Sequence, residues 1–197
     1  KKLYKIEKNM VLYIYVTYGG IKMDFREIKE FLSDTFKYII VIILVLILAI
    51  YVISLSQVVG NSMSPNYNDG DVVFVSKIHY KISTIQRNDI ISFKNEDTRY
   101  LIKRVIGLPG EIIEYKDNTL YIDGVGYDEL YLDKSTKTNN FSLNDLGYTK
   151  IPDDMYLVLG DNREDSYDSR DFGLIKKSDI IGKCIFQLWP LNKIKKM

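Results

Sequence analysis

Tyr100-Leu101-Ile102-Lys103-Arg104-Val105-Ile106-Gly107-Leu108-Pro109-Gly110 reads as a β-strand closed by a turn. Branched and aromatic side chains dominate residues 100–106, and Gly, Pro and Gly break the run. Side chains alternate across a strand, so Leu101, Lys103 and Val105 share one face while Ile102, Arg104 and Ile106 share the other. Lys103 therefore lies between two apolar neighbours and Arg104 points away from it. If the lysine's face is the core, its ammonium is desolvated and its pKa falls from about 10.4, as a lysine needs before it can act as a base near neutral pH. The plainer reading has Lys103 reaching out to solvent along its own stem, with Arg104 on a solvated face.

The same kind of run recurs on both sides of this strand. Residues 72–75, 90–93, 111–115, 120–122, 155–159 and 180–188 are short, apolar and separated by Gly, Asn, Asp and Pro. Such spacing predicts a mostly β domain. Asn118 before residues 119–122 and Asp123-Gly124 after them mark a hairpin around a short strand. Residues 132–150, rich in Lys, Asn, Thr and Ser, read as an exposed excursion.

On the N-terminal side the sequence changes character. Residues 38–55 read YIIVIILVLILAIYVISL without a charge, about 27 Å of helix at roughly 1.5 Å per residue. The uncharged stretch continues to Asn61, which predicts a transmembrane helix over residues 38–59. A buried helix of a soluble domain and a cleavable signal peptide are the alternatives; the first is rarely apolar all round, and the second has a shorter apolar region nearer the start. Arg26, Lys29 and Lys37 precede the run, whereas the first cation after it is Lys77, so residues 1–37 are expected to be cytoplasmic and residues 60–197 external. The chain starts at Lys1, and residues 1–22 are either a genuine cytoplasmic extension or a leader translated ahead of a start at Met23.

Composition narrows the chemistry. With 27 Lys and Arg against 26 Asp and Glu, no charge excess favours nucleic acid, and none is expected as a partner. One cysteine, Cys184, and one histidine, His79, cannot make a disulfide framework or a zinc set, and no metal or cofactor is expected. His79 lies among Lys77, Tyr80 and Lys81 and reads as a surface residue, and Lys77 has a more polar setting than Lys103. A serine needs a neighbouring base to become a nucleophile. Ser62, in Gly60-Asn61-Ser62-Met63-Ser64-Pro65, has the most favourable local setting, although Gly and Pro there also serve ordinary turns.

Four stretches in order resemble the bacterial type I signal peptidases, membrane-anchored serine proteases with a Ser and Lys dyad. They are residues 60–65 with Gly70-Asp71, then Asn88-Asp89-Ile90-Ile91-Ser92-Phe93, then residues 100–110, then the polar loop Gly160-Asp161-Asn162-Arg163-Glu164-Asp165-Ser166-Tyr167-Asp168-Ser169-Arg170-Asp171-Phe172-Gly173. The resemblance runs from the apolar span to about Pro190. It implies a signal-peptidase-like β-fold catalytic domain behind a single N-terminal transmembrane helix, in the compact prokaryotic form, located at the cell membrane.

Carried over by position, the resemblance makes Ser62 the nucleophile and Lys103 the general base. Ser166 would orient the lysine, Asp168 and Arg170 would form an ion pair shaping the site, and the Ser62 amide would be one oxyanion donor. Relatives that add a serine two residues before the nucleophile have Gly60 here, which leaves the second donor open. Asn66-Tyr67 and Asn88 depart from the family pattern at the rim. The implied substrates are secretory preproteins cut after small-x-small (Ala-x-Ala) sites beside the lipid bilayer. Two other readings remain: a Ser and Lys peptidase specialised for one substrate, such as a pilin-type protein, and an inactive membrane-anchored relative.

Overall fold

The computed structural model describes residues 25–78, 83–95, 100–191 and 195–196, and the chain falls into two units, residues 1–50 and 51–197. Residues 1–22, with the proposed start, and His79 lie outside the described residues.

The first unit holds all but the last two residues of α1, Phe25–Val52. From Ile39 to Ile47 every side chain is apolar and at least 45% exposed, so the helix has no polar face along that length. Among the described residues no helix is long and apolar enough to cross a membrane. In α1, the eighteen residues ending at Ile47 still include Glu30, Asp34 and Lys37. The expected helix over 38–59 is corrected at its C-terminal end. The helix stops at Val52, and Ile53–Gln57 is strand β1, paired antiparallel with β2, Val72–Ser76. The physical reason is the composition of Ile53-Ser54-Leu55-Ser56-Gln57, which alternates apolar and polar with period two and finds an open strand edge to bond to.

The second unit is mostly β. Its larger sheet adds β3 (Ile90–Lys94), β4 (Tyr100–Gly107), β9 (Met155–Leu159), β10 (Ile175–Lys176), β11 (Ile180–Trp189) and β12 (Lys195–Lys196). The order is β1-β2-β11-β3-β4-β9-β10, with β12 on β11. The smaller sheet runs β7-β6-β5-β8, from β5 (Ile113–Lys116), β6 (Thr119–Ile122), β7 (Val125–Tyr127) and β8 (Phe141–Ser142). Both its tight turns, Asp117-Asn118 and Asp123-Gly124, have positive φ at each central residue, the geometry that suits the twist of a hairpin.

Strand β4 is interior to the larger sheet and covered on both faces. Leu101 and Val105 pack with Ile91, Phe93 and Val158 on one side. On the other, Ile106 joins Leu157 and Leu159 to Ile113, Tyr115, Leu120, Phe141 and Leu143 of the second sheet. That joint corrects the reading of residues 132–150: Thr138, Phe141 and Leu143 are buried, and β8 pairs with β5. A third cluster places Met63 and Tyr67 of the loop after β1 against Val73, Val75, Ile90 and Cys184.

Candidate active site

The loop that carries Ser62 is closed at its base by two backbone bonds. The Val58 amide donates to the Asp71 carbonyl at 2.8 Å and the Gly70 amide to the Val58 carbonyl at 2.9 Å. Fully buried Met63 and nearly buried Tyr67 anchor it from beneath. Asp71, also buried, accepts from the Asn68 amide and from Gln187 Nε2 of β11. Ser62, next to the Met63 anchor, is half-buried. Gly60 has φ of 80°, a conformation open to glycine at no cost, and its amide already donates to Asp69 Oδ1 at 2.8 Å. That amide is therefore committed within the loop.

Lys103 is 2% exposed, which decides between the two readings of its strand: the lysine faces the core. Its cross-strand partner on β3 is Ile91. Its Nζ donates to Ser166 Oγ at 3.1 Å. Burial pushes its pKa down from 10.5 to about 8, with nearby Asp168 opposing the shift and Arg170 adding to it. Among the described residues no hydrogen bond joins Lys103 to Ser62. Bonds of this kind commonly tighten only with substrate in place.

The loop from Gly160 to Gly173 brings the rest together. Asp168 is fully buried, caps the short helix α2 (Ser169–Phe172) and holds Arg170 through two contacts of 2.8 Å. It also accepts from the Gly160 amide at 3.0 Å. The Asn162 amide donates to the Ser62 carbonyl at 3.0 Å, which ties this loop to the Ser62 segment. At Gly160 the two segments nearly touch: a Cβ there would lie 2.1 Å from Ser166 Oγ and 2.4 Å from the Ser62 carbonyl oxygen. The Ser62 backbone and Ser166 thus meet at one glycine, Lys103 joins through its bond to Ser166, and Asp168, paired with Arg170, holds the glycine's amide.

Arg104 is not on a solvated face. It is 7% exposed and grips Asp161 with Nε and Nη2 at 2.8 and 2.7 Å, while Nη1 donates to the Asn88 carbonyl at 3.0 Å. Beside it, Arg163 is buried and donates to Glu129, to Tyr115 Oη and to Thr138 Oγ1. Asn66 Nδ2 bridges Asp161 Oδ2 and the Tyr131 carbonyl, each at 2.9 Å. These supporting residues were not singled out from the sequence, although Arg104 sits between Ile102 and Ile106, an equally apolar pair. Asp161 and Arg163 were in the quoted loop, but the partners of Asp161 are Arg104 on β4 and Asn66, and those of Arg163 are Tyr115 on β5 with Glu129 and Thr138 of the excursion.

Removing one member of a buried pair leaves an uncompensated charge, which typically costs about 3 to 5 kcal/mol. Arg163→Leu is expected to lose that much stability in a urea titration. Arg163→Leu with Glu129→Leu should regain more than half of it; equal losses in the single and double variants would refute the pairing as the cause.

A family described as "Signal peptidase, peptidase S26" matches residues 32–189. Signal peptidase IB of Staphylococcus aureus strain Mu50 is 37% identical over 182 residues, 85% of this chain and 94% of that protein. Signal peptidase I of Bacillus caldolyticus is 38% identical over 173 residues, 84% of this chain and 95% of its own. A crystal structure of a signal peptidase I from Enterococcus faecalis is 41% identical, covers 52% of this chain and 97% of the solved one, and gives a TM-score of 0.48. By the extent of the family match and the identity to these relatives, the chain belongs to the signal peptidase family, peptidase S26.

Proposed function

We propose that the protein removes N-terminal signal peptides from secretory preproteins by acyl transfer through Ser62, with Lys103 as the base, cutting after Ala-x-Ala sites. The observation that carries the reading is a buried lysine, hydrogen-bonded to Ser166 and held at a pKa of about 8 beside the Ser62 loop. At pH 7 about one such lysine in ten is neutral, against about three in ten thousand at the ordinary value. The lowered pKa therefore enlarges the fraction of competent base by about 300-fold.

In the proposed step neutral Lys103 takes the Ser62 Oγ proton as that oxygen attacks the scissile carbonyl. The Ser62 amide stabilises the resulting oxyanion. The lysine ammonium then returns the proton to the leaving amine, and the acyl-enzyme is hydrolysed by a water that Lys103 deprotonates. Ser166 and the Asp168 and Arg170 pair hold the lysine's environment and touch no substrate. The reaction requires no metal or cofactor.

The proposal extends to a membrane anchor. Residues 38–55 carry no charge, and the exposed apolar side chains of Ile39 to Ile47 favour a lipid surrounding, since that surface is unfavourable in water. The cations Arg26, Lys29 and Lys37 favour a cytoplasmic N-terminus and an extracytoplasmic catalytic unit.

The test is cleavage of a purified preprotein with an Ala-x-Ala site by the full chain in detergent. Processing at that site is expected to be lost in Ser62→Ala and in Lys103→Ala. The wild-type rate should climb with pH and level off above about 8, as the lysine deprotonates. Undiminished turnover in either variant, or a rate flat from about pH 6 to 10, would refute the dyad.

A further inference from the structure

We propose that Tyr131, in the excursion between β7 and β8, is a positioning residue of the reaction: one side chain that clamps the Gly160 loop to the strand carrying Lys103. The inference rests on the Ser62 and Lys103 reading above. Tyr131 lies outside all four stretches that carry the family resemblance, and it contacts neither Ser62 nor Lys103 among the described bonds.

The clamp has four contacts. The Tyr131 ring covers the Arg104 guanidinium, with Cζ 4.0 Å from the ring centroid, a cation and π arrangement that keeps water from the fork on Asp161. Its hydroxyl donates to Glu129 Oε1 and accepts from Arg163 Nη2 at 3.2 Å. Burial and the Glu129 carboxylate hold that hydroxyl far above its usual pKa, so it stays a donor. Its backbone carbonyl takes Asn66 Nδ2 from the nucleophile loop. Arg104 follows Lys103 on β4, Asp161 follows Gly160, and Asn66 is four residues past Ser62. Arg104 thus ties the strand bearing Lys103 to the loop bearing Ser166 through Asp161, Arg163 ties that same loop to Glu129 and Tyr115, and Tyr131 touches both arginines.

Loosening that clamp has a specific consequence. Lys103 is surrounded by Ile91 on β3 and by the charged groups of the loop and α2, namely Asp161, Asp168, Arg170 and Asp171. If the loop shifts from β4, water reaches the ammonium and the lysine regains its proton more readily. The acidic limb of the rate profile then moves to higher pH, which a loss of folded protein alone does not do.

The experiment compares kcat, KM and the pH profile of the full chain in detergent, with an Ala-x-Ala preprotein, for wild type, Tyr131→Leu and Tyr131→Phe. Tyr131→Leu is expected to lose about tenfold in kcat with KM within about threefold. Its acidic limb should move up by about half a pH unit or more. Tyr131→Phe keeps the ring over Arg104 and should return the limb to its wild-type position while recovering part of kcat. An unmoved limb in Tyr131→Leu overturns the proposal whatever happens to the yield. If that variant does not fold, Arg104→Lys, which loses the fork and the flat surface under the ring, is expected to move the limb likewise, and an unmoved limb there overturns it too. A wild-type profile with no limb is instead the failure of the dyad reading, and it removes the inference with it.

Discussion

Lys103→Met is expected to abolish turnover, by at least about 10³-fold, and at the same time to make the folded protein more stable at pH 7. The sign follows from linkage. Below about pH 8 the lysine is charged in the folded and unfolded states alike, and the fold bears the full cost of burying an ammonium whose pKa has dropped from 10.5 to about 8. That difference corresponds to about 3 kcal/mol. Between about 8 and 10.5 the folded state loses its proton first, so wild-type stability rises with pH. Above about 10.5 the penalty is gone. The advantage of methionine, similar in length and uncharged, is therefore largest below pH 8 and vanishes toward pH 10.5. Urea titrations of both proteins at pH 7 and pH 10 read this directly, and a wild type more stable than the variant at pH 7 would sink the idea that burial sets the lysine's pKa.

Gly160→Ala is the second large effect. The new Cβ would meet Ser166 Oγ at 2.1 Å, the Ser62 carbonyl at 2.4 Å and Ser166 Cβ at 2.6 Å. Two of these atoms belong to a fully engaged loop and one to backbone, so the segments must separate. A displacement on the order of 1 Å between reacting groups costs about 100-fold in rate, and overpacking costs about 1 to 3 kcal/mol in stability. Gly182→Ala supplies the control. Its Cβ would lie 2.3 Å from the Ser76 carbonyl, the same kind of clash between β11 and β2, away from Lys103 and Ser166. It should lose comparable stability and retain kcat per folded molecule. Equal losses of kcat in the two variants would show that Gly160 acts only through the fold.

Much of this architecture was legible in the sequence because strands interrupted by turn residues leave a clear pattern. The expected runs at 72–75, 90–93, 155–159 and 180–188 correspond to β2, β3, β9 and β11 within one residue at each end. The alternation through residues 100–106 also placed Lys103 with Leu101 and Val105, and only its exposure was left open. The solvated face allowed for Arg104 did not hold, because a sequence read strand by strand does not show that β4 has a neighbour on both faces. The residues covering Arg104 come from Tyr131 and Asp161, 27 and 57 positions downstream. The polar composition of residues 132–150 likewise concealed Thr138, Phe141 and Leu143, whose burial depends on the second sheet. At the helix end, hydropathy ran through Ile53-Ser54-Leu55 unbroken, and only the period-two pattern marked the change to a strand.

The bonds that complete the site join residues far apart along the chain, and this bears on when the protein can act during its own synthesis. Asn162 reaches Asn61 across 101 positions, Lys103 reaches Ser166 across 63, and Gln187 reaches Asp71 across 116. Such long loops must close before their contacts return any free energy, so topologies of this kind fold late and slowly. A chain made from its N-terminus exposes Ser62 more than a hundred residues before Ser166, the partner of Lys103, is made. On the proposed reading the half-made polypeptide therefore holds an unactivated hydroxyl, and proteolytic competence arrives in one step, only after β11, the strand that joins β2 to β3, has left the ribosome.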